Sequence, residues 1–223
     1  MTRQLQSDRR GAAPGTARSV VVFVHGYGAD GADLLGLAEP LAAHLPDTAF
    51  YAPNAPEPCT NNSMGYQWFP IPWLDGSPEA AAREGLLRAA EDLDAFLDHV
   101  LATEGLAPEA LALVGFSQGT MMSLHVAPRR AAPVACVVGF SGRLMASEEL
   151  AAQTRSLPPV LLVHGDADEV VPVQSLPEAA QALQGAGFET YAHVSKGTGH
   201  GIAPDGLSLA LGFLLDKLPR SSA

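Results

Sequence analysis

The chain has 223 residues, 47% of them hydrophobic, and a formal net charge of −11. That is enough to bury one substantial core, and it leaves no basic face of the kind nucleic acid requires, so nucleic acid is excluded as a partner. Cys59 and Cys136, the two cysteines, form neither a disulfide framework nor a metal-ligand spacing, so no metal, no cofactor and no redox chemistry are expected.

Residues 1–18 carry Arg3, Arg9, Arg10 and Arg18 among small and polar residues, without the apolar core of a secretory signal. The expectation is a disordered tail over 1–18 ahead of one domain over 19–220, with no linker or internal repeat. No apolar stretch reaches the roughly 20 residues of a membrane-spanning helix. No stable membrane insertion is therefore expected, and a cytoplasmic location follows by default.

Beyond the tail, short β-branched runs alternate with helical patterns. Strands are expected over 20–24, 49–52, 111–114, 134–138, 160–163 and 190–194, and their near-continuous apolarity suggests a buried sheet. Ser77 and Pro78 form an N-cap and first-turn pair ahead of Leu86, Ala90, Leu93, Leu97 and Leu101 at helical spacing. Asp205 is expected to cap a last helix whose Leu207, Leu211, Leu214 and Leu218 face the same sheet. The alternation predicts an α/β fold, a mostly parallel sheet with helices on both faces. In such a fold the ligand site lies at the carboxyl ends of the strands.

Gly115-Phe116-Ser117-Gln118-Gly119 stands at one such end, after an apolar strand and before a helical pattern. This is the setting of a nucleophile elbow: a sharp turn exposes the serine hydroxyl, and flanking glycines remove side chains that would collide with it. The helix that starts there aims main-chain N–H groups, that of Gln118 first, at an oxygen that becomes negative in acyl transfer. Gly139-Phe140-Ser141-Gly142-Arg143 also follows a strand, but lacks the glycine two positions after its serine. Ser141 is read as a loop residue.

A serine needs a base. Among seven histidines, His200 sits in Gly197-Thr198-Gly199-His200-Gly201, a small-residue loop after the last strand. His25 and His164 each end a strand and precede glycine, but neither follows an acid in the serine, acid, histidine order, so both are read as bonded to nearby loop backbone. The acid must come from His164-Gly165-Asp166-Ala167-Asp168-Glu169-Val170-Val171-Pro172. Composition does not choose between Asp166 and Asp168.

Four segments in this order, His25-Gly26-Tyr27-Gly28-Ala29-Asp30, the elbow, the 164–172 loop and the 197–202 loop, together resemble the phospholipase/carboxylesterase family of α/β hydrolases, which includes acyl-protein thioesterases. The resemblance implies an α/β-hydrolase fold with Ser117, Asp168 and His200 as the catalytic triad. It further implies the main-chain N–H of Tyr27 as the second oxyanion donor beside Gln118. Thr120 departs from a further glycine common after the elbow, and Trp68-Phe69-Pro70 departs from a thioesterase-like Trp-Phe-Asp. The second departure makes the chain look more like bacterial carboxylesterases.

Met64, Trp68, Phe69 and Trp73 cluster in this Pro-rich stretch, either as an apolar wall for the acyl or alcohol part of an ester or as packing under a long loop. The expected activity is cofactor-free hydrolysis of small-molecule esters with short to medium acyl chains. Alternatives are an acyl-protein thioesterase or lysophospholipase, and a noncatalytic hydrolase-fold binding protein. A homodimer is left open beside a monomer.

Overall fold

A computed structural model of the protein describes residues 2–219. In chain order the elements are β1 (Ser7–Gly11), β2 (Ser19–Val24), α1 (Gly31–Leu35), α2 (Ala38–Ala42), β3 (Thr48–Pro53), β4 (Glu57–Cys59), β5 (Asn62–Gln67), α3 (Pro72–Asp75) and α4 (Glu79–Glu104). They continue with β6 (Leu111–Phe116), α5 (Gln118–Val126), β7 (Cys136–Phe140), α6 (Ser147–Gln153), β8 (Val160–Gly165), α7 (Ser175–Gly185), β9 (Thr190–Ser195) and α8 (Pro204–Lys217). Seven strands form one sheet in the order β1-β3-β2-β6-β7-β8-β9, parallel throughout except for β1 against β3. β4 and β5 make a separate antiparallel hairpin. This is the α/β-hydrolase architecture that the motif order implies.

Helices cover both faces because the central strands are apolar on both. Along β2, Val20, Val22 and Val24 enter the core on the face of α4, α5 and α7, whereas Val21 and Phe23 enter the core on the face of α1, α2 and α8. Leu214 and Leu218 are buried in the second core, with Leu207 and Leu211 half-buried against it. Among the described residues no helix is long and apolar enough to cross a membrane.

Four local expectations need correction. Residues 1–18 are not a disordered tail. β1 pairs with β3, Leu5 is buried, and two of the four arginines that mark this stretch as polar, Arg3 and Arg9, have carboxylate partners on α4. Arg3 Nε donates to Asp92 at 2.8 Å, and Arg9 Nε donates to Glu104 at 2.8 Å. At the start of α4 the N-cap is Pro78 rather than Ser77, and α8 is capped by Ala203, with Asp205 inside its first turn. The strand placed over 134–138 begins two residues later, at Cys136.

Candidate active site

Ser117 lies between β6 and α5 with φ 53° and ψ −115°, a region that L-residues with a side chain rarely occupy. Neighbouring contacts hold it there: its N–H donates to Phe140 O at 2.8 Å, and Met121 N–H donates to its carbonyl at 3.2 Å. Both flanking glycines are required by close approach. A Cβ on Gly115 would lie 2.6 Å from Gly119 O, and one on Gly119 would collide with Val24 O. The strain of the elbow is thus maintained by β2, β7 and the helix behind it.

Thr120, where the family favours glycine, fills a defined place. Its hydroxyl donates to Gly115 O at 2.9 Å and lies 2.8 Å from Phe140 O, tying the elbow to β7. Its Cγ2 takes the space over Gly139, where an added Cβ would lie 2.5 Å away. The extra methyl is therefore compatible only with glycine beneath it.

At the end of β8 the loop over 166–168 grips the loop over 197–200. Asp166 N–H donates to Ser195 O at 3.2 Å, Ala167 N–H donates to Thr198 O at 2.9 Å, and Asp166 Oδ1 accepts from Gly197 N–H at 2.6 Å. Gly165 has no room for a side chain, since a Cβ would lie 2.5 Å from Gly199 O. This packing brings His200 Nδ1 to 2.8 Å from Asp168 Oδ2. The His200 ring lies 4.9 Å, centre to centre, from the ring of Phe116, the residue before Ser117.

The two aspartates differ in what they face. Asp166 is exposed and spends one oxygen on loop backbone, whereas the Asp168 side chain is fully buried. Asp168 Oδ1 accepts from the N–H groups of Val170 and Val171, both at 2.9 Å. Burial alone would raise the Asp168 pKa. The hydrogen bonds from His200 and from these two N–H groups outweigh it and hold the carboxyl below the usual carboxylate range.

On the opposite side of Ser117, a Cβ on Gly26 would lie 3.3 Å from Ser117 Cβ, and Gly28 has φ +80°. The turn over 25–28 therefore runs directly past the candidate nucleophile. Among the described residues neither Tyr27 N–H nor Gln118 N–H is taken up by a backbone carbonyl outside helices and strands. His25 supports this turn. Its Nε2 accepts from Ala55 N–H at 2.9 Å, which puts the proton on Nδ1, 2.7 Å from Gly26 O. Burial lowers its pKa and keeps it neutral.

The aromatic cluster divides. Trp68 and Phe69 are buried in the core, the packing alternative of the two that the sequence left open. Their role is read from the Gln118 side chain, whose Oε1 accepts from Trp68 N–H at 2.9 Å and whose Nε2 donates to Phe69 O at 2.8 Å. Trp68 Nε1 also donates to His25 O at 3.0 Å, and Gly28 N–H donates to Tyr66 O at 2.8 Å. One segment, 66–69, thus clamps both loops that carry the candidate oxyanion donors. Met64 and Trp73 are exposed, by 84% and 53%, and the Arg143 guanidinium lies 5.7 Å from the Trp73 ring centre.

Sequence reading missed the Gln118 side chain as a structural link, because its partners lie 49 and 50 positions away. A hollow of about 740 Å³ lies between residues 2–7 and α4, and none of the candidate catalytic or oxyanion residues lines it. Among the described residues no group of three or more His, Cys, Asp or Glu is placed to hold a metal ion.

A strained serine on a strand-to-helix turn, a histidine paired with a buried aspartate, and a parallel sheet that presents both at its carboxyl end define an α/β hydrolase. The model of the phospholipase/carboxylesterase family matches residues 12–217, and the chain belongs to that family. It is similar to the crystal structure of esterase PE8, with a TM-score of 0.92, 44% identity and coverage of 97% of this chain and 100% of that one. A protein of Oryza sativa subsp. japonica named as a probable carboxylesterase is 34% identical over 88% of this chain and 76% of its own. Acyl-protein thioesterase 1 of Gibberella zeae is 27% identical over 90% of this chain and 91% of its own. The protein is accordingly a hydrolase of the esterase and thioesterase type.

Proposed function

We propose that the protein is a serine-dependent carboxylic ester hydrolase that works through an acyl-enzyme, without a cofactor, on small-molecule esters with short to medium acyl chains. The observation that carries this reading is the 2.8 Å contact between His200 Nδ1 and the buried Asp168 carboxylate, at the same end of the sheet as the strained Ser117. Asp168 holds the proton of His200 on Nδ1 and leaves Nε2 to accept. Ser117 Oγ attacks the ester carbonyl carbon as its proton passes to His200 Nε2. The oxygen that becomes negative takes hydrogen bonds from the N–H groups of Tyr27 and Gln118. His200 then returns the proton to the departing alkoxide, and an acyl group remains on Ser117. Water then attacks that acyl group as its proton passes to His200, and the acid leaves as His200 gives that proton to Ser117 Oγ.

Labelling by a fluorophosphonate probe tests the reading. The unmodified protein is expected to be labelled at Ser117 and to lose ester hydrolysis on labelling, and Ser117→Ala is expected to lose both. A protein left unlabelled would instead be a noncatalytic member of the fold. A second reading is acyl-protein thioesterase or lysophospholipase, and its thioesterase form draws support from the Gibberella zeae relative. It uses the same acyl-enzyme with a longer acyl group, and a series of acyl lengths on oxyesters and thioesters separates the two.

A further inference from the structure

The short helix α3 and the segment after β7 meet across the candidate nucleophile. α3 is tied to the turn over 25–28 through the β4–β5 hairpin: Asn61 Nδ2 donates to Leu74 O at 2.8 Å, and Asn62 Nδ2 donates to Gly28 O at 2.7 Å. On the other side, Phe140 O accepts from Ser117 N–H at 2.8 Å, and a Cβ on Gly142 would lie 2.9 Å from Ser117 O. Arg143 follows directly, and its guanidinium lies over the exposed Trp73 ring of α3, 5.7 Å from the ring centre. The Arg143–Trp73 contact therefore joins the Tyr27 side of Ser117 to the β7 side.

This arginine has no counter-charge. Among the described residues its only partner is the Trp73 ring. The carboxylate of α3, Asp75, is committed elsewhere: Oδ2 accepts from Ile71 N–H at 2.8 Å and Oδ1 from Ser77 N–H at 2.9 Å. Arg10 lies within β1, Arg18 precedes β2 and Arg155 precedes β8. Of the exposed arginines without a carboxylate partner among the described residues, Arg143 is thus the one at the carboxyl end of the sheet. A guanidinium resting on an aromatic face keeps the N–H donors of its own plane available at the edge, and a carboxylate takes two of them in parallel. With a net charge of −11 the chain repels anions at long range, so an anionic substrate needs a local cation of this kind.

We propose that Arg143, held over Trp73, recognises a carboxylate at the far end of the acyl part, so that half-esters of short dicarboxylic acids are the substrate class. This rests on the reading of the protein as an ester hydrolase with Ser117 as nucleophile. In that reading His200 hands its proton to the departing alkoxide, so the alcohol part leaves on the side of the loop after β9. The acyl part extends away from it, toward β7 and α3. Its methylenes lie against the Trp73 ring, and its carboxylate meets the Arg143 fork.

The test compares the monoethyl esters of succinate, glutarate and adipate with ethyl butyrate, valerate and hexanoate, each of which has a methyl group where its partner has the carboxylate. Fluorophosphonate labelling of the unmodified protein comes first, and failure there overturns the serine-hydrolase reading and this inference with it. In a labelled protein, at fixed ionic strength, kcat/KM is expected to be higher for the half-ester in at least one pair. That ratio is expected to fall about fivefold or more in Arg143→Gln. Arg155→Gln removes the same charge from an exposed site at the other end of β8 and is expected to leave the ratio in place. Arg143→Glu is expected to lower the ratio further and to raise kcat/KM for the ethyl ester of ε-aminocaproate, which ends in an ammonium group.

A labelled protein that prefers the neutral ester in every pair, or whose ratio stays unmoved in Arg143→Gln or falls equally in Arg155→Gln, overturns the inference and leaves the catalytic reading standing. γ-Acetoxybutyrate, which carries its carboxylate on the alcohol part, tests the direction. An Arg143-dependent preference for it, with none for the half-esters, would equally overturn the inference.

Discussion

Replacing Asp168 by asparagine is expected to remove nearly all turnover, and the reason lies in which atoms face one another. The two N–H groups of Val170 and Val171 require an acceptor at Oδ1, so the new amide nitrogen takes the Oδ2 position. There it meets His200 Nδ1 at about the 2.8 Å of the present contact. A donor at that place forces His200 to accept at Nδ1 and carry its proton on Nε2, where it can no longer receive the proton of Ser117. In a serine hydrolase this wrong tautomer costs on the order of 10⁴-fold in kcat, about 5 kcal/mol of transition-state stabilisation. Asp166→Asn keeps a carbonyl oxygen to accept from Gly197 N–H, so it is expected to stay within about fivefold of the unmodified protein. Steady-state hydrolysis of p-nitrophenyl butyrate by both variants, with circular dichroism to verify folding, makes the comparison. Equal losses in the two variants, or more than about a hundredth of the activity left in Asp168→Asn, would refute the assignment of the acid.

Ser141→Ala, unlike Ser117→Ala, should retain most ester hydrolysis, since its buried hydroxyl has no hydrogen-bond partner to lose among the described residues; inactivation with the fold intact would argue against this. Arg9→Met strands the Glu104 carboxylate, which is 2% exposed and bonded to Arg9 and Tyr51, and should cost about 3 kcal/mol in urea unfolding at pH 7, somewhat less because Arg9 is itself partly exposed. Burial works to raise the Glu104 pKa, but the bonds from Arg9 and Tyr51 prevail and lower it. Its contribution is thus full above the unfolded carboxylate value and fades as pH falls through the lower folded one. The Arg9→Met difference should accordingly shrink below about pH 4.5, and its absence at pH 7 would count against the pair. Gln118→Leu leaves Trp68 N–H and Phe69 C=O buried without partners and should cost roughly 2–4 kcal/mol, together with a fall in kcat; unchanged melting and kcat would show that the clamp does not matter. Acyl preference is read from kcat/KM on soluble esters, where acetate or butyrate should exceed palmitate. A steady rise with length, at about 0.8 kcal/mol per buried methylene, would favour the thioesterase or lysophospholipase reading.

The sequence by itself determined what depends on local periodicity and local backbone geometry. Runs such as Val20 to Val24, apolar on both faces, can only be central strands with helices above and below. Glycines at 115 and 119 around a serine mark a turn too tight for side chains, and the structure shows the reason in the approach of Val24 O and Gly119 O. Residues alone did not separate Asp166 from Asp168. Both are acidic positions in one loop, and they differ only in which is buried against a histidine 32 positions later. The order of residues around Arg9 looks like a polar tail, because its partner Glu104 lies 95 positions away and reaches it only through the pairing of β1 with β3. The residues around Trp68 and Phe69 did not decide between a substrate wall and packing under a loop for the same reason: the Gln118 amide that bonds their backbone belongs to another element. His164, two strands away from the elbow, gained its carbonyl partner, Val171 O, only when the loop after β8 folded back over it. Period and turn are written in neighbouring residues. Which buried polar group meets which is decided by contacts between segments far apart in the chain, and only the folded sheet brings those segments together.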